Sequence, residues 1–313
     1  MKKQYDIVGN RKKYFIFSIA MILFIFVYAA IFGVKMDIQF KGGAMLTYSY
    51  TGEVDGKAIG KEVDAILGSD ASVQMGDNIA TGMKTLTITM PGTQTMDTAT
   101  VEKLSQTLLS EYSTNDFKQL SMNNVNATMG KEFFAKCIFA IVLAFVLILV
   151  YIAIRFKKIG GWPAGSMAII ALFHDLIIIF GVFVIAGIPL NSNFIAATLT
   201  ILGYSINDTV VIYDRVRENR QLFGNKTPFA ELVNTSINQS LRRSINTTVT
   251  TILALGTVCV VAGIFGLDSI FTFAFPLIIG MISGVYSTVC IAGPLWVEWE
   301  LHKGHRKPAK KAS

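Results

Sequence analysis

Charge is scarce in this chain of 313 residues. Asp, Glu, Lys and Arg make up 16% of it and apolar residues 52%, whereas soluble domains carry about a quarter charged residues. That balance excludes an ordinary soluble protein. Cysteine is scarce too: Cys137, Cys259 and Cys290 all lie in apolar runs. The polar segment 35–131 has none, so it must fold without a disulfide. No G-x-x-x-x-G-K-[ST] loop is present to cradle a nucleotide phosphate. If the protein does work, ATP hydrolysis in this chain is not the source, and an ion gradient is the natural alternative. Nothing resembles a catalytic triad or a metal-ligand cluster, so we expect no enzyme activity, no cofactor and no metal.

Long uncharged runs take the place of these features. A spanning helix needs about 20 apolar residues, and six segments qualify: 14–34, 137–154, 162–188, 194–213, 245–265 and 270–297. Only Asp175, beside His174, and Asp208 interrupt them with an acid. Most of the 28 lysines and arginines flank these runs. They cluster at 2–13, 155–158, 215–243 and 303–311, which the positive-inside rule assigns to the cytoplasm. Both termini are then inside and the segment after the first helix is outside. Trp162, Trp296 and Trp299 fall at inner helix ends, where amphipathic rings suit the headgroup layer. The net charge of +7 is therefore a topology signal in a lipid bilayer, and no nucleic-acid partner is expected. The first run is longer than a signal-peptide core and lacks a small-x-small site, so it reads as an uncleaved anchor.

The organisation expected is a cytoplasmic N-terminus (1–13), a first transmembrane helix (14–34), an extracytoplasmic domain (35–131), helices two to six (132–300) with a cytoplasmic loop at 215–243, and a basic tail (301–313). Within the outer domain, 38–50 has strand character and 55–67 shows helical spacing. Strands are expected at 72–75, 84–90 and 117–122, and a helix at 98–112. The order β-α-β-β-α-β is that of a ferredoxin-like α+β domain. The fold class is thus a membrane all-α six-helix bundle with this domain inserted after the first helix. The stripe Phe229, Leu232, Val233 and Ile237 suggests a surface helix on the inner leaflet. Gly280 and Gly284 form a GxxxG suited to close helix contact, and Pro276 is expected to kink the last helix.

Ionisable residues inside a membrane are costly and default to functional hypotheses. Asp208 falls in the inner half of the fourth span, with Tyr204 on its face at i−4. Arg243 opens the fifth span, and Thr247, Thr250 and Thr251 extend its polar stripe. Antiparallel helices can bring Asp208 and Arg243 to similar depth. Burial raises a carboxylate pKa and a guanidinium lowers it, so movement of the arginine would switch the carboxylate between holding and releasing a cation. The bland readings are a static salt bridge, or an arginine that anchors its helix at the headgroups. Asp175 is a second candidate for ion coupling, unless His174-Asp175 only bonds neighbouring helices.

The run GYSINDTVVIYDRVREN at 203–219, with Asn207, Asp208, Arg215, Arg217, Glu218 and Asn219, resembles the fourth-helix signature of the SecF family. These are protein-export membrane subunits of the RND superfamily. NQSLRRSINT at 238–247 is similar to that family's approach to helix five, and His174-Asp175 matches its helix-three pair. Asp37 followed by Gly42 and Gly43 resembles its D-x-x-x-x-G-G motif. The resemblance spans nearly the whole chain, and the helix-four run is its most specific part. It implies an RND-type half that pairs with a SecD subunit and associates with the SecYEG channel. With them it would use a proton or sodium gradient to draw a preprotein outward, while SecA pushes from the inside. It also implies Asp208 as the ion-path carboxylate. It implies Arg243 as the basic partner, as the depth argument also does, while Arg242 stands where the family often has a small residue. The rivals are half of an RND-type small-molecule exporter and a translocon scaffold without ion coupling.

Overall fold

The computed structural model describes residues 4–67, 71–78, 83–91, 98–224 and 227–306. Its elements run α1 (Arg11–Phe32), α2 (Ile38–Lys41), β1 (Gly43–Tyr50), α3 (Gly56–Leu67), β2 (Ser72–Asn78), β3 (Met83–Pro91), α4 (Thr98–Glu111) and β4 (Lys118–Val125). There follow α5 (Ala127–Arg155), α6 (Gly161–Ile185), α7 (Ser192–Phe223), α8 (Phe229–Ile264), α9 (Asp268–Ser287) and α10 (Gly293–Arg306). A π-helical turn, Thr288–Ala292, joins α9 to α10, with Pro276 inside α9. Among the described residues six stretches are long and apolar enough to cross a membrane: α1, α5, α6, α7, α8 and Ser269–Lys303. The chain is a multi-pass membrane protein.

The inserted domain is a four-stranded sheet in the order β2-β3-β1-β4, with every neighbouring pair antiparallel. Alternation along β1 sends Ala44, Leu46, Tyr48 and Tyr50 to one face. There they meet Leu86 and Ile88 of β3, Ile59 and Val63 of α3, and Leu104 and Leu108 of α4. Truncating a leucine sealed this way costs about 2–5 kcal/mol. β4 is exposed along its length, so this edge lies beyond the helices' cover.

The expected strand at 38–50 begins later than predicted. Asp37 accepts a hydrogen bond from Gln39 N at 2.9 Å and caps the one-turn α2, which competes with strand pairing as Asx side chains do. Gly42 and Gly43 then turn the chain, with φ of 80° and 136°. A Cβ on Gly42 would stand 2.3 Å from Ala127 Cα, and one on Gly43 would stand 2.1 Å from Met90 O. Only glycine fits either place. The junction is pinned further by Asp37 N to Leu190 O at 3.0 Å and Leu190 N to Lys35 O at 2.9 Å. Phe40 also packs on Phe133 and Phe134.

The segment 215–243 is helical in all its described residues except 224, 227 and 228. At 1.5 Å per residue, α7 and α8 are about 48 and 54 Å long, well beyond a 30 Å hydrocarbon core. Their extensions pack together, so the expected surface helix is not one. Leu232, Val233 and Ile237 are buried in a core with Tyr213, Val216 and Trp296. Residues 5–8 lie along α8. Asn234 Oδ1 accepts from Ile7 N and Val8 N, and Asn238 Oδ1 accepts from Tyr5 N.

Candidate functional site

Asp175 is completely buried in a cage of hydroxyl groups. Ser205 of α7 donates to its Oδ2 at 2.8 Å, Ser283 of α9 to Oδ1 at 2.6 Å, and Ser287 of α9 to Oδ2 at 2.7 Å. His174 Nδ1 stands 3.3 Å from Oδ1. A carboxylate offers about four acceptor sites; the serines fill three, and the Nδ1-H tautomer of His174 would fill the fourth. The GxxxG explains how three helices come so close. A Cβ on Gly280 would lie 2.8 Å from Ile201 Cγ1, and one on Gly284 would lie 3.1 Å from Ser205 Cβ. One turn further along α7, Thr209 and Thr288 share a hydroxyl hydrogen bond of 2.9 Å. This ties α7 to the π turn, a local distortion often found at functional sites.

Asp208 faces α8 and is only 5% exposed. Its Oδ2 and Ser244 Oγ are both buried without a hydrogen bond of good geometry, although the Ser244 hydroxyl lies beside the carboxylate and can donate to it. Arg243 and Ser244 are its neighbours on α8. Arg243 itself is exposed, and among the described residues no ion pair within 4.0 Å joins it to Asp208. The sequence motif thus brings the two onto facing helices but not into a salt bridge. Tyr204 Oη pairs with Thr248 Oγ1 at 3.1 Å. Thr247, expected on the polar stripe of Arg243, is exposed and bonds back to Arg243 O at 3.0 Å. One residue turns a helix by about 100°, which accounts for the exchange.

The rest of the helix-four signature braces α7 against α8. Asn219 Nδ2 donates to Ser236 Oγ and Gln239 Oε1, both at 2.8 Å. Arg215 donates to Gln239 at 2.6 Å and to Glu218 at 2.7 Å. Arg217 and Arg155 both pair with Asp214 at 3.0 Å. Asn207 is exposed on α7, as are Arg242, Asn246 and Thr250 on α8. Polar groups at membrane depth normally face protein or a water-filled cavity.

Sequence reasoning missed the three serines of the cage. Ser283 and Ser287 are spaced i, i+4 beside Gly280 and Gly284, a stripe of small and polar residues that could have marked the face.

A bundle of membrane-length helices with an inserted four-stranded domain and two buried carboxylates defines a class of multi-pass membrane proteins, and comparison narrows it. The family described as protein export membrane protein SecD/SecF, C-terminal, matches residues 104–302. Protein translocase subunit SecF of Sebaldella termitidis is 32% identical over 306 residues, covering 97% of this chain and 94% of the relative. Protein translocase subunit SecDF of Bacillus subtilis is 31% identical over 302 residues, 95% of this chain and 38% of that protein. The crystal structure of SecDF, a translocon-associated membrane protein from Thermus thermophilus, superposes with a TM-score of 0.82 at 26% identity. It covers 96% of this chain, which spans 39% of that structure. The chain belongs to the SecD/SecF protein-export family, in its SecF branch.

Proposed function

We propose that the protein is an accessory subunit of a Sec translocase, working beside a SecD-like subunit. It would couple a proton or sodium gradient to the translocation and release of preproteins on the outer side of the membrane. In this reading it lies in the bacterial inner membrane with both termini cytoplasmic. It is not an enzyme: the SecYEG channel would carry the preprotein and SecA would supply the ATP-driven push.

The observation that carries the ion-coupling reading is Asp208, a buried carboxylate with an unpartnered oxygen one residue from an exposed Asn207. An under-satisfied carboxylate in a low-dielectric setting binds a cation to relieve its desolvation. A SecD-like partner is supported by the SecDF relatives, in which a longer chain contains a region like this one. The polar exposed stripe on α8, whose described spanning window is 11% buried, also favours cover by other helices. The outer domain reads as a ferredoxin-like moving part. Its β-α-β-β-α-β order and β2-β3-β1-β4 sheet support that assignment.

The test is export of a secreted reporter into inverted membrane vesicles with wild type or Asp208→Asn at equal membrane levels. The variant should lose the gradient-dependent part of export and keep the ATP-driven part. Imposing proton and sodium gradients separately then identifies the ion. Equal export by both proteins under every gradient would leave a scaffold role and refute coupling through Asp208.

A further inference from the structure

The turn between α5 and α6 holds a groove of about 540 Å³ lined by Val150, Ala153, Ile154, Lys157, Trp162 and Pro163. Its size is that of a small-molecule site, and its lining changes from apolar to basic along its length. The turn is rigidly built. Phe156 is fully buried and meets the Tyr213 ring edge-on at 5.6 Å. Gly160 takes φ of 96°, and a Cβ on Gly161 would lie 2.2 Å from Ala153 O, so the two backbones touch. The backbone of the groove is therefore preformed, with Lys157 at its polar end.

The charges at this turn are unbalanced. Asp214 is taken by Arg155 and Arg217. Glu300 Oε1 approaches Gly160 but pairs with neither Lys157 nor Lys158, which are exposed and make no ion pair among the described residues. α6 starts at Gly161 without a side-chain cap, which adds the positive end of a helix dipole. Trp162 is 64% exposed beside the lysines, as a ring at the headgroup level would be. The apolar end, Val150 and Ile154, is exposed on a helix long and apolar enough to cross a membrane.

We infer that this groove holds one anionic phospholipid, its phosphate between Lys157 and the start of α6 and an acyl chain along Val150 and Ile154 against Trp162. The charge complementarity favours an anionic over a zwitterionic headgroup, and the apolar half distinguishes a lipid from a free anion. Juxtamembrane lysines draw anionic lipids in this way. The site is independent of ion coupling and lies outside the Asp175 and Asp208 clusters.

The experiment is native mass spectrometry of the purified full chain in detergent, with equimolar phosphatidylglycerol and phosphatidylcholine of identical acyl chains. One phosphatidylglycerol should be retained in preference. Lys157→Ala with Lys158→Ala should reduce its retention roughly tenfold. Val150→Trp, which fills the apolar end and leaves both lysines, should reduce it similarly. Lys131→Ala with Lys136→Ala, at the opposite end of α5, should not change it. Equal retention of the two lipids, or equal loss in the Lys131 and Lys136 variant, overturns the inference. So does displacement of the lipid by excess inorganic phosphate alone, which would make the site one for free anions.

Discussion

Ser283→Ala removes one of the three hydroxyl groups that hold Asp175. Its hydrogen bond, 2.6 Å long, ends on a carboxyl group with no solvent exposure, so water cannot replace it. A hydrogen bond to a charged group contributes about 1.5–3 kcal/mol net, and we take about 2 kcal/mol for this one. At 2–4 °C per kcal/mol, the midpoint of thermal unfolding should fall by roughly 4–8 °C. The cysteines provide the assay, since Cys137 is buried and Cys259 and Cys290 are half-buried within helices. A fluorogenic thiol reagent in detergent therefore reports opening of the bundle. The decisive comparison is a double-mutant cycle with Asp175→Asn. If the serine acts through the carboxylate, Ser283→Ala should cost less in the Asn background, with a coupling of about 0.5–3 kcal/mol. A Ser283→Ala loss below about 0.5 kcal/mol, or one of equal size in both backgrounds, would refute the cage as a source of stability.

Two further outcomes follow from the junction between the membrane helices and the inserted domain. Gly42→Ala would place a methyl group against the Ala127 backbone at a left-handed φ, so it should cost several kcal/mol and sharply lower the yield of folded protein; a normal yield and midpoint would show that α2 and α5 can separate freely. Asp37 has its pKa raised by burial, offset in part by the hydrogen bond from Gln39 N. The folded state therefore binds this proton more tightly than the unfolded chain, and stability falls as pH rises from the ordinary carboxylate value of about 3.9 through the raised one. Asp37→Asn keeps an N-capping side chain but removes the charge, so it should gain stability relative to wild type across that window and hold the gain above it. Midpoints measured from pH 4 to 8 that show a flat or opposite difference would contradict the sign.

How much of this was legible in the sequence differs from element to element, for physical reasons. The six spans were, because hydrocarbon thickness sets a length that no polar loop can imitate. The inserted domain's element order was too, since Leu86, Ile88 and Met90 alternate while Leu104 and Leu108 repeat at helical spacing. Boundaries failed where a local polar group decides them. Asp37 turned the start of a predicted strand into a capped helix. The stripe at 229–237 suggested a surface helix on the leaflet, whereas Asn234, Asn238 and Gln239 bond that stretch to partners distant in the chain. For the site, titratable residues announce themselves through their cost in lipid, so Asp175 and Asp208 stood out. The relation between them did not. Asp175 was ranked below Asp208 because nothing in the sequence showed that Ser205, Ser283 and Ser287 converge on it, and hydroxyl groups cost little enough in a helix to leave no mark. The two carboxylates end up in opposite conditions on the two sides of α7. Asp175 is saturated with donors through Ser205, and Asp208, three residues further along the same helix, has an oxygen with none. The saturated one resists change and fixes α7 to α6 and α9. The unsatisfied one has something to gain from a cation. The Asp175 cage comes from helix packing that depends on Gly280 and Gly284, and it is therefore a property of the fold that a reading of single helices could not reach.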